Sequence, residues 1–288
     1  MISRIKYIME HHSFFRKVVP ICRKVGLVHF LHRIKSDFDR IGNRDKRKEF
    51  QDFYEEHKND FERLSKMLED DFSRETLQRI LDFRKNWKIK VLRPIIVNPQ
   101  YFQKDIFECT EKEVLIDGGA YVGDTVEEFL NWVRRSGGGY SKIYAWEPDE
   151  SNVKQMQKNL KQYKNVEIIP CGMWSQKEEL RFSKNGNAGS RITVHGATKI
   201  YVDSIDHMHA KVRVTLIKMD IEGSEMAALK GAEKIIKRDR PKLAVCIYHN
   251  PEDIFEIPFL IKKLVPEYKL YIRHHSDTYA ETVVYATV

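Results

Sequence analysis

Apolar residues recur along the 288-residue chain in two rhythms. Up to about residue 105 they return at steps of three and four, as in Phe53, Tyr54, His57, Phe61, Leu64 and Leu68. That period puts them on one face of a helix, where His57 reads as a core-edge residue rather than a ligand. Leu77, Ile80 and Leu81 mark a second helix, with Ser73 as its expected N-cap. From Ile2 to Phe38 apolar residues are interleaved with basic ones and broken by Pro20 and Gly26, a pattern of short amphipathic helices. Pro94 and Pro99 then punctuate an irregular connection.

Beyond it the rhythm changes to short continuous apolar runs separated by helical stretches. Val114–Ile116, Lys142–Trp146, Val166–Ile169, Val214–Met219 and Lys242–Tyr248 read as strands. Between them, Val126, Phe129, Leu130 and Val133 form one helix face, and Val153, Met156 and Leu160 another. Ser224 is placed to cap a helix running through Met226, Leu229, Ile235 and Ile236, and Asn250-Pro251 to open a further one. Glu179–Phe182 and Arg191–Val202, around Gly186, Gly189 and Gly196, predict an inserted hairpin near the mouth of a pocket. The last two strands, Tyr268–Arg273 and Thr282–Thr287, are joined by a polar loop through His274-His275-Ser276-Asp277. It is too short for a crossover, so they must be antiparallel. The expectation is an α/β domain over 106–288, with a mostly parallel sheet and an antiparallel C-terminal strand pair. A helical cap or arm precedes it over 1–105.

Charge and cysteine content narrow the setting. The formal net charge of +8 resides in residues 1–50, which hold 13 Lys and Arg against 5 Asp and Glu; the remainder holds 37 of each. A basic arm of this kind suits peripheral contact with an anionic membrane more than nucleic acid here, and it equally suits a solvated helix face. The four cysteines, Cys22, Cys109, Cys171 and Cys246, are scattered, which points away from a disulfide framework or zinc site and toward a reducing compartment. With no bilayer-length apolar run and no signal-peptide core, a cytoplasmic protein is expected, with membrane association through the arm as an option.

The candidate chemistry sits at strand ends, where ligands bind in such sheets. The first strand runs into Asp117-Gly118-Gly119-Ala120-Tyr121-Val122-Gly123-Asp124-Thr125. Glycines at 118, 119 and 123 depart from the G-x-G-x-x-G of a dinucleotide site, and Asp117 would repel a pyrophosphate. The loop is better suited to S-adenosylmethionine, whose amino and hydroxyl groups a carboxylate can accept from. Glu147, in Glu147-Pro148-Asp149, ends the second strand 30 residues beyond Asp117, against about 20 in a dinucleotide fold. An acid there grips a ribose diol. Trp174 is placed to cover an adenine or simply to pack. Asp220, Glu222, His249 and His274 end the later strands on the same rim. His249 is the choice of general base because imidazole titrates near neutral pH, with Asp220 orienting it or binding the acceptor. A metal is not favoured, since ligand spacing is loose. In a metal-assisted variant, Asp220, Glu222, His249 and His274 would be the ligands.

Three ordered motifs sharpen the picture: Asp117-Gly118-Gly119-Ala120 with Gly123-Asp124-Thr125; Ala145-Trp146-Glu147-Pro148-Asp149 with Asn152; and Lys218-Met219-Asp220-Ile221-Glu222-Gly223-Ser224-Glu225 with Ala228, Leu229, Lys230, Gly231 and Ala232. Together they resemble the FkbM family of S-adenosylmethionine-dependent methyltransferases, over about 114–288. The resemblance implies a class I methyltransferase (Rossmann-like) fold and O-methylation of a small-molecule or glycan hydroxyl, as on a surface polysaccharide or a secondary metabolite. Ser224, where the family often has alanine, is a mild departure. Two rival classes are a noncatalytic nucleic-acid or membrane-binding module, which leaves the strand-end acids unexplained, and an NAD-dependent oxidoreductase, which the loop and terminal strand pair disfavour.

Overall fold

The structure is a computed structural model that describes residues 46–183, 191–192 and 198–288. The chain divides into two compact units, Met1–Glu56 and His57–Val288. Of the first, only residues 46–56 are described, and they are helical. The rest of the basic arm, Cys22, and the predicted turn glycines Gly186, Gly189 and Gly196 lie outside the described residues. The boundary after Glu56 differs from the one expected near 105, and the contacts of the intervening helices explain why.

In the second unit, α1 (Lys58–Met67) and α2 (Asp71–Asn86) precede the sheet. Ser73 is not the N-cap of α2. Asp70 is, accepting from the Ser73 amide at 2.7 Å. The Ser73 hydroxyl instead accepts from the Ile272 amide (3.0 Å) and the Arg273 guanidinium (2.8 Å). Arg273 also donates to Asp70 and Asp105, each at 2.7 Å. Bridges Leu68↔Leu270 and Ile96↔His274 continue the attachment along the same strand, so residues 57–105 are built onto the sheet edge. Phe102 goes further, stacking on Trp132 at 5.6 Å within the core.

The main sheet contains β1 (Glu113–Gly118), β2 (Tyr140–Trp146), β3 (Val166–Ile169), β8 (Leu216–Met219), β9 (Lys242–Cys246), β10 (Lys269–His274) and β11 (Thr282–Thr287), in the order β10-β11-β9-β8-β1-β2-β3. All adjoining pairs are parallel except those of β11, which slots between β9 and β10 and opposes both. The predicted antiparallel pair is thus β10–β11, with β11 as the reversed member. Both faces of the sheet are covered, so its strands read as continuous apolar runs. Helix α3 (Asp124–Ser136) buries Val126, Phe129, Leu130, Trp132 and Val133, and ends at Gly137 in the left-handed conformation (φ 69°) that L side chains resist. Helix α4 (Glu150–Leu160) is capped by Asp149, which accepts from the Ser151 and Asn152 amides.

A smaller sheet, β4-β7-β5-β6, is formed by β4 (Gly172–Met173), β5 (Glu178–Ser183), β6 (Arg191–Ile192) and β7 (Thr198–Asp203). Helices α5 (Ile205–Met208), α6 (Glu225–Lys230), α7 (Glu233–Asp239) and α8 (Asp253–Leu264) complete the unit. Ser224 precedes α6 without a side-chain cap. At α8 the expected direction of capping is reversed: Asp253 reaches back and accepts from the Asn250 amide (3.0 Å) and side chain (2.8 Å). No helix among the described residues is long and apolar enough to cross a membrane, and Cys109, Cys171 and Cys246 are free thiols.

Candidate functional site

Strands β1, β2 and β8 lie side by side in parallel, so their C-terminal loops meet along one edge. There they enclose a cavity of about 460 Å³. The β1 loop is pinned under it: the Gly119 and Ala120 amides donate to the Trp146 carbonyl at 3.1 and 3.0 Å. Gly119 has φ +71°, and a Cβ there would fall 1.9 Å from the Asp220 carbonyl oxygen, so only glycine lets the two loops approach. Seven carboxylates line the cavity (Asp124, Glu128, Glu147, Asp149, Asp220, Glu222 and Glu281) against one lysine, Lys218. Burial holds Glu128 up at about 7 despite Arg135.

Asp117 is not on that wall. It is 0% exposed, and its Oδ1 lies 3.0 Å from Nζ of Lys218, its partner in the β1–β8 register. Nζ also donates to the Gly118 and Gly119 carbonyls, each at 3.0 Å. Burial alone would lower the Lys218 pKa, but Asp117 and Asp220 outweigh it and hold the ammonium charged. Direct cofactor contact, expected of Asp117, does not fit this position: the carboxylate is committed to the lysine beneath the loop. Gly118, Ala120 and Gly123 also sit outside the cavity lining, whereas Gly119, Asp124 and Thr125 are in it.

Glu147, Pro148 and Asp149 all line the cavity. The Glu147 carboxylate accepts from the Tyr121 amide (3.1 Å), the Asp149 amide (2.9 Å) and the Asn152 side chain (3.2 Å). Three donors fix its orientation, and a carboxylate has lone pairs to spare for a diol. Cys171, Gly172 and Met173 continue this wall. Trp174 does not. It packs, partly buried, with Leu180, Ile200 and Val202 in the small-sheet cluster.

At the β8 end, both oxygens of Asp220 accept from tyrosines, Oδ2 from Tyr101 at 2.8 Å and Oδ1 from Tyr248 at 3.0 Å. Burial opposes ionisation of Asp220, yet Lys218, His249 and the tyrosines keep its pKa below the ordinary carboxylate value. Glu222 lines the cavity from a left-handed backbone position (φ 58°), and burial pushes its pKa to about 7. His249 lies behind these groups, outside the lining, with its side chain 9% exposed. Its Nδ1 is 3.2 Å from Glu225, and its Nε2 is 3.5 Å from both Asp220 and Glu222. Burial disfavours its charged form, but Glu225, Asp220 and Glu222 outweigh that and raise its pKa to about 9. The ring thus stands behind the cavity wall, turned to these carboxylates, rather than at the position facing an acceptor that was expected of a general base.

His274 is separate from this group. It is fully buried in β10, where Nδ1 meets the Thr282 hydroxyl at 2.9 Å, and burial lowers its pKa to about 4. It joins none of the other three residues named with it as metal candidates. The structure also brings in residues that sequence reasoning passed over. Gln100 and Tyr101, from the connection before the sheet, line the cavity, and Glu281 joins them from the β10–β11 loop, accepting from Gln100 at 2.6 Å. No local motif marks them. Lys218 could have been found as a lone charge inside the apolar run Leu216–Met219, since a buried charge requires a partner.

A family model of the FkbM methyltransferase domain matches residues 117–276. Among solved structures, the chain is similar to the methyltransferase FkbM from Methylobacillus flagellatus KT, with TM-score 0.69, 26% identity, and coverage of 81% of this chain and 59% of that one. The chain therefore spans under two thirds of that relative's length. More remote similarities include an rRNA methylase from Streptococcus thermophilus (TM-score 0.39, 14% identity, 62% of this chain and 87% of that one). Another is a SAM dependent methyltransferase from Aquifex aeolicus (TM-score 0.38, 16% identity, 69% and 96%). A search of curated proteins gave no match.

Proposed function

The chain belongs to the FkbM methyltransferase family, and from that membership we propose that it transfers the methyl group of S-adenosylmethionine to a hydroxyl oxygen. The observation that carries the reading is Glu147, oriented by three donors at the end of the second parallel strand and facing the cavity beside the glycine loop. That is where a ribose diol is gripped. The donor set fits the rest of the group as well: a wall rich in carboxylates attracts a sulfonium cation, and Gly119 leaves room where a Cβ would not fit. When bound, S-adenosylmethionine supplies an electrophilic methyl carbon on a positively charged sulfur that leaves with the bonding pair.

The chain's own residues supply positioning and a proton acceptor. Glu222 is the cavity carboxylate to which the hydroxyl proton passes, because both oxygens of Asp220 already take tyrosine hydroxyls. Asp220 orients that end of the cavity, and His249 holds Asp220 and Glu222 from behind. The acceptor in this reading is a glycan or secondary-metabolite hydroxyl, and an anionic membrane carrying such a glycan would suit the net positive charge of residues 1–50. The test is to incubate the protein with S-adenosylmethionine labelled in the methyl group and with cell-extract fractions. Label should enter base-stable ether linkages in the glycan or small-molecule fraction, and Glu222→Gln should remove it. Label found in nucleic acid or protein instead would overturn the reading.

A further inference from the structure

Around the β8 and β9 ends, negative charge exceeds what the protein supplies to balance it. Asp220, Glu222, Glu225 and Glu281 converge there, and Lys218 is shared between Asp117 and Asp220. Asp220, Glu225 and His249 each present a ligand atom within 4.8 Å of the others. Glu225 is 0% exposed, and its Oε2 has no hydrogen-bond partner, while its Oε1 accepts from the Ile221 amide at 2.7 Å. Both ring nitrogens of His249 are likewise buried without a hydrogen-bond partner, although carboxylates approach them within 3.2–3.5 Å. Charges close enough to attract, but not aligned to share a proton, are the arrangement of ligands around a cation. A buried carboxylate oxygen left without a donor is otherwise destabilising.

We propose that Asp220, Glu225 and His249 bind one hard divalent metal cation, of the Mn²⁺ or Mg²⁺ class, with Glu222 beside it on the cavity side. Two carboxylates with one imidazole form an oxygen-rich set suited to such ions rather than to the softer, thiolate-seeking ones. Carboxylates face the two ring nitrogens from opposite sides. With Nδ1 on the metal, Nε2 is left facing Glu222, which is not a ligand, at 3.5 Å, the outer-shell pattern of histidine ligands. Binding takes the place of the ring proton, which is released. His274, fixed to Thr282, is not a ligand. The inference deepens the methyltransferase reading and rests on it for its consequence. Since Asp220 and Glu222 line the cavity, the cation would stand where the acceptor hydroxyl arrives and would acidify it, leaving Glu222 to take the proton.

The test uses the full chain, stripped with EDTA and desalted, then titrated with Mn²⁺ while electron paramagnetic resonance follows the free ion. One Mn²⁺ per chain should be taken up. His249→Asn and Glu225→Gln should weaken uptake at least about tenfold, whereas Asp71→Asn, an exposed acid elsewhere, should not. Because a variant at a buried position can fail to fold, wild-type protein labelled with ¹⁵N in histidine is also followed by NMR during Mg²⁺ titration. One His249 ring nitrogen should lose its proton. Absence of stoichiometric Mn²⁺ uptake by the wild type, or a His249 ring doubly protonated throughout, overturns the metal site. Titration of the stripped protein with S-adenosylhomocysteine keeps the two readings apart: S-adenosylhomocysteine binding without Mn²⁺ uptake rejects only the metal, and uptake without such binding rejects only the cofactor assignment.

Discussion

Replacing Lys218 by methionine should destabilise the fold far more than a change at a cavity wall would. The ammonium lies 3.0 Å from Asp117 Oδ1 and donates to two carbonyls of the glycine loop, and both charged residues are buried. Methionine keeps the apolar stem and removes the charge, leaving the Asp117 carboxylate without its counter-ion and the Gly118 and Gly119 carbonyls without a donor. Breaking a buried pair in this way costs ~3–5 kcal/mol, mostly the penalty of the stranded charge. Removing that charge as well should return much of the loss, so Asp117→Asn with Lys218→Met should be more stable than Lys218→Met alone by at least ~1 kcal/mol. Urea unfolding followed by intrinsic fluorescence measures all four members of the cycle. Lys218→Met unfolding at the wild-type midpoint would refute the buried pair, and Asp117→Asn abolishing S-adenosylhomocysteine binding while leaving stability untouched would make Asp117 a ligand after all.

Three further outcomes follow from the same geometry. Gly119→Ala should lower both stability and S-adenosylhomocysteine affinity, because its Cβ would collide with the Asp220 carbonyl at a φ of +71°; calorimetry and melting together check this, and unchanged values would contradict the loop packing. Trp174→Phe should leave that affinity within about twofold, since the ring packs in the small sheet. The stability that His209 and His274 supply should be lost between pH 6.5 and 4, because their buried rings are held neutral with pKa values near 4, against about 6.5 unfolded. In that window these two rings bind protons in the unfolded chain and not in the fold, so each contributes stability that is present above 6.5 and lost as pH falls toward 4, while Glu128 and Glu222, raised to about 7, act in the opposite sense. A difference in urea midpoint between the wild type and His274→Asn that stays constant from pH 7 to pH 4.5 would contradict it.

The parallel strands were legible because strands buried on both faces need continuous apolar runs, as in Leu115-Ile116 before its glycine turn and in Leu243-Ala244-Val245. Glu147 was legible for a related reason: strand ends are where such a sheet opens. The position of Asp117 was not, because an acid before a glycine turn looks the same whether it faces a ligand or a lysine on the next strand. Only the register Asp117↔Lys218 distinguishes these. His249 was legible at its strand end, but its place behind the cavity wall was not, since the acid that meets its Nδ1, Glu225, comes from a different element. Tyr101 reaches Asp220 across 119 residues of sequence, a contact that no local pattern carries. The first helices were read as a separate cap because their amphipathic faces show that something is buried, without showing that it is β10.

The most direct test of the central claim is calorimetric titration of the purified full chain with S-adenosylhomocysteine, alongside Glu147→Ala. Saturable binding at one site per chain is expected, weakened in the variant by at least ~1.5 kcal/mol, the scale of a hydrogen bond to a charged group. No heat of binding in the wild type, or equal affinity in the two proteins, would contradict the cofactor site described at the ends of β1 and β2.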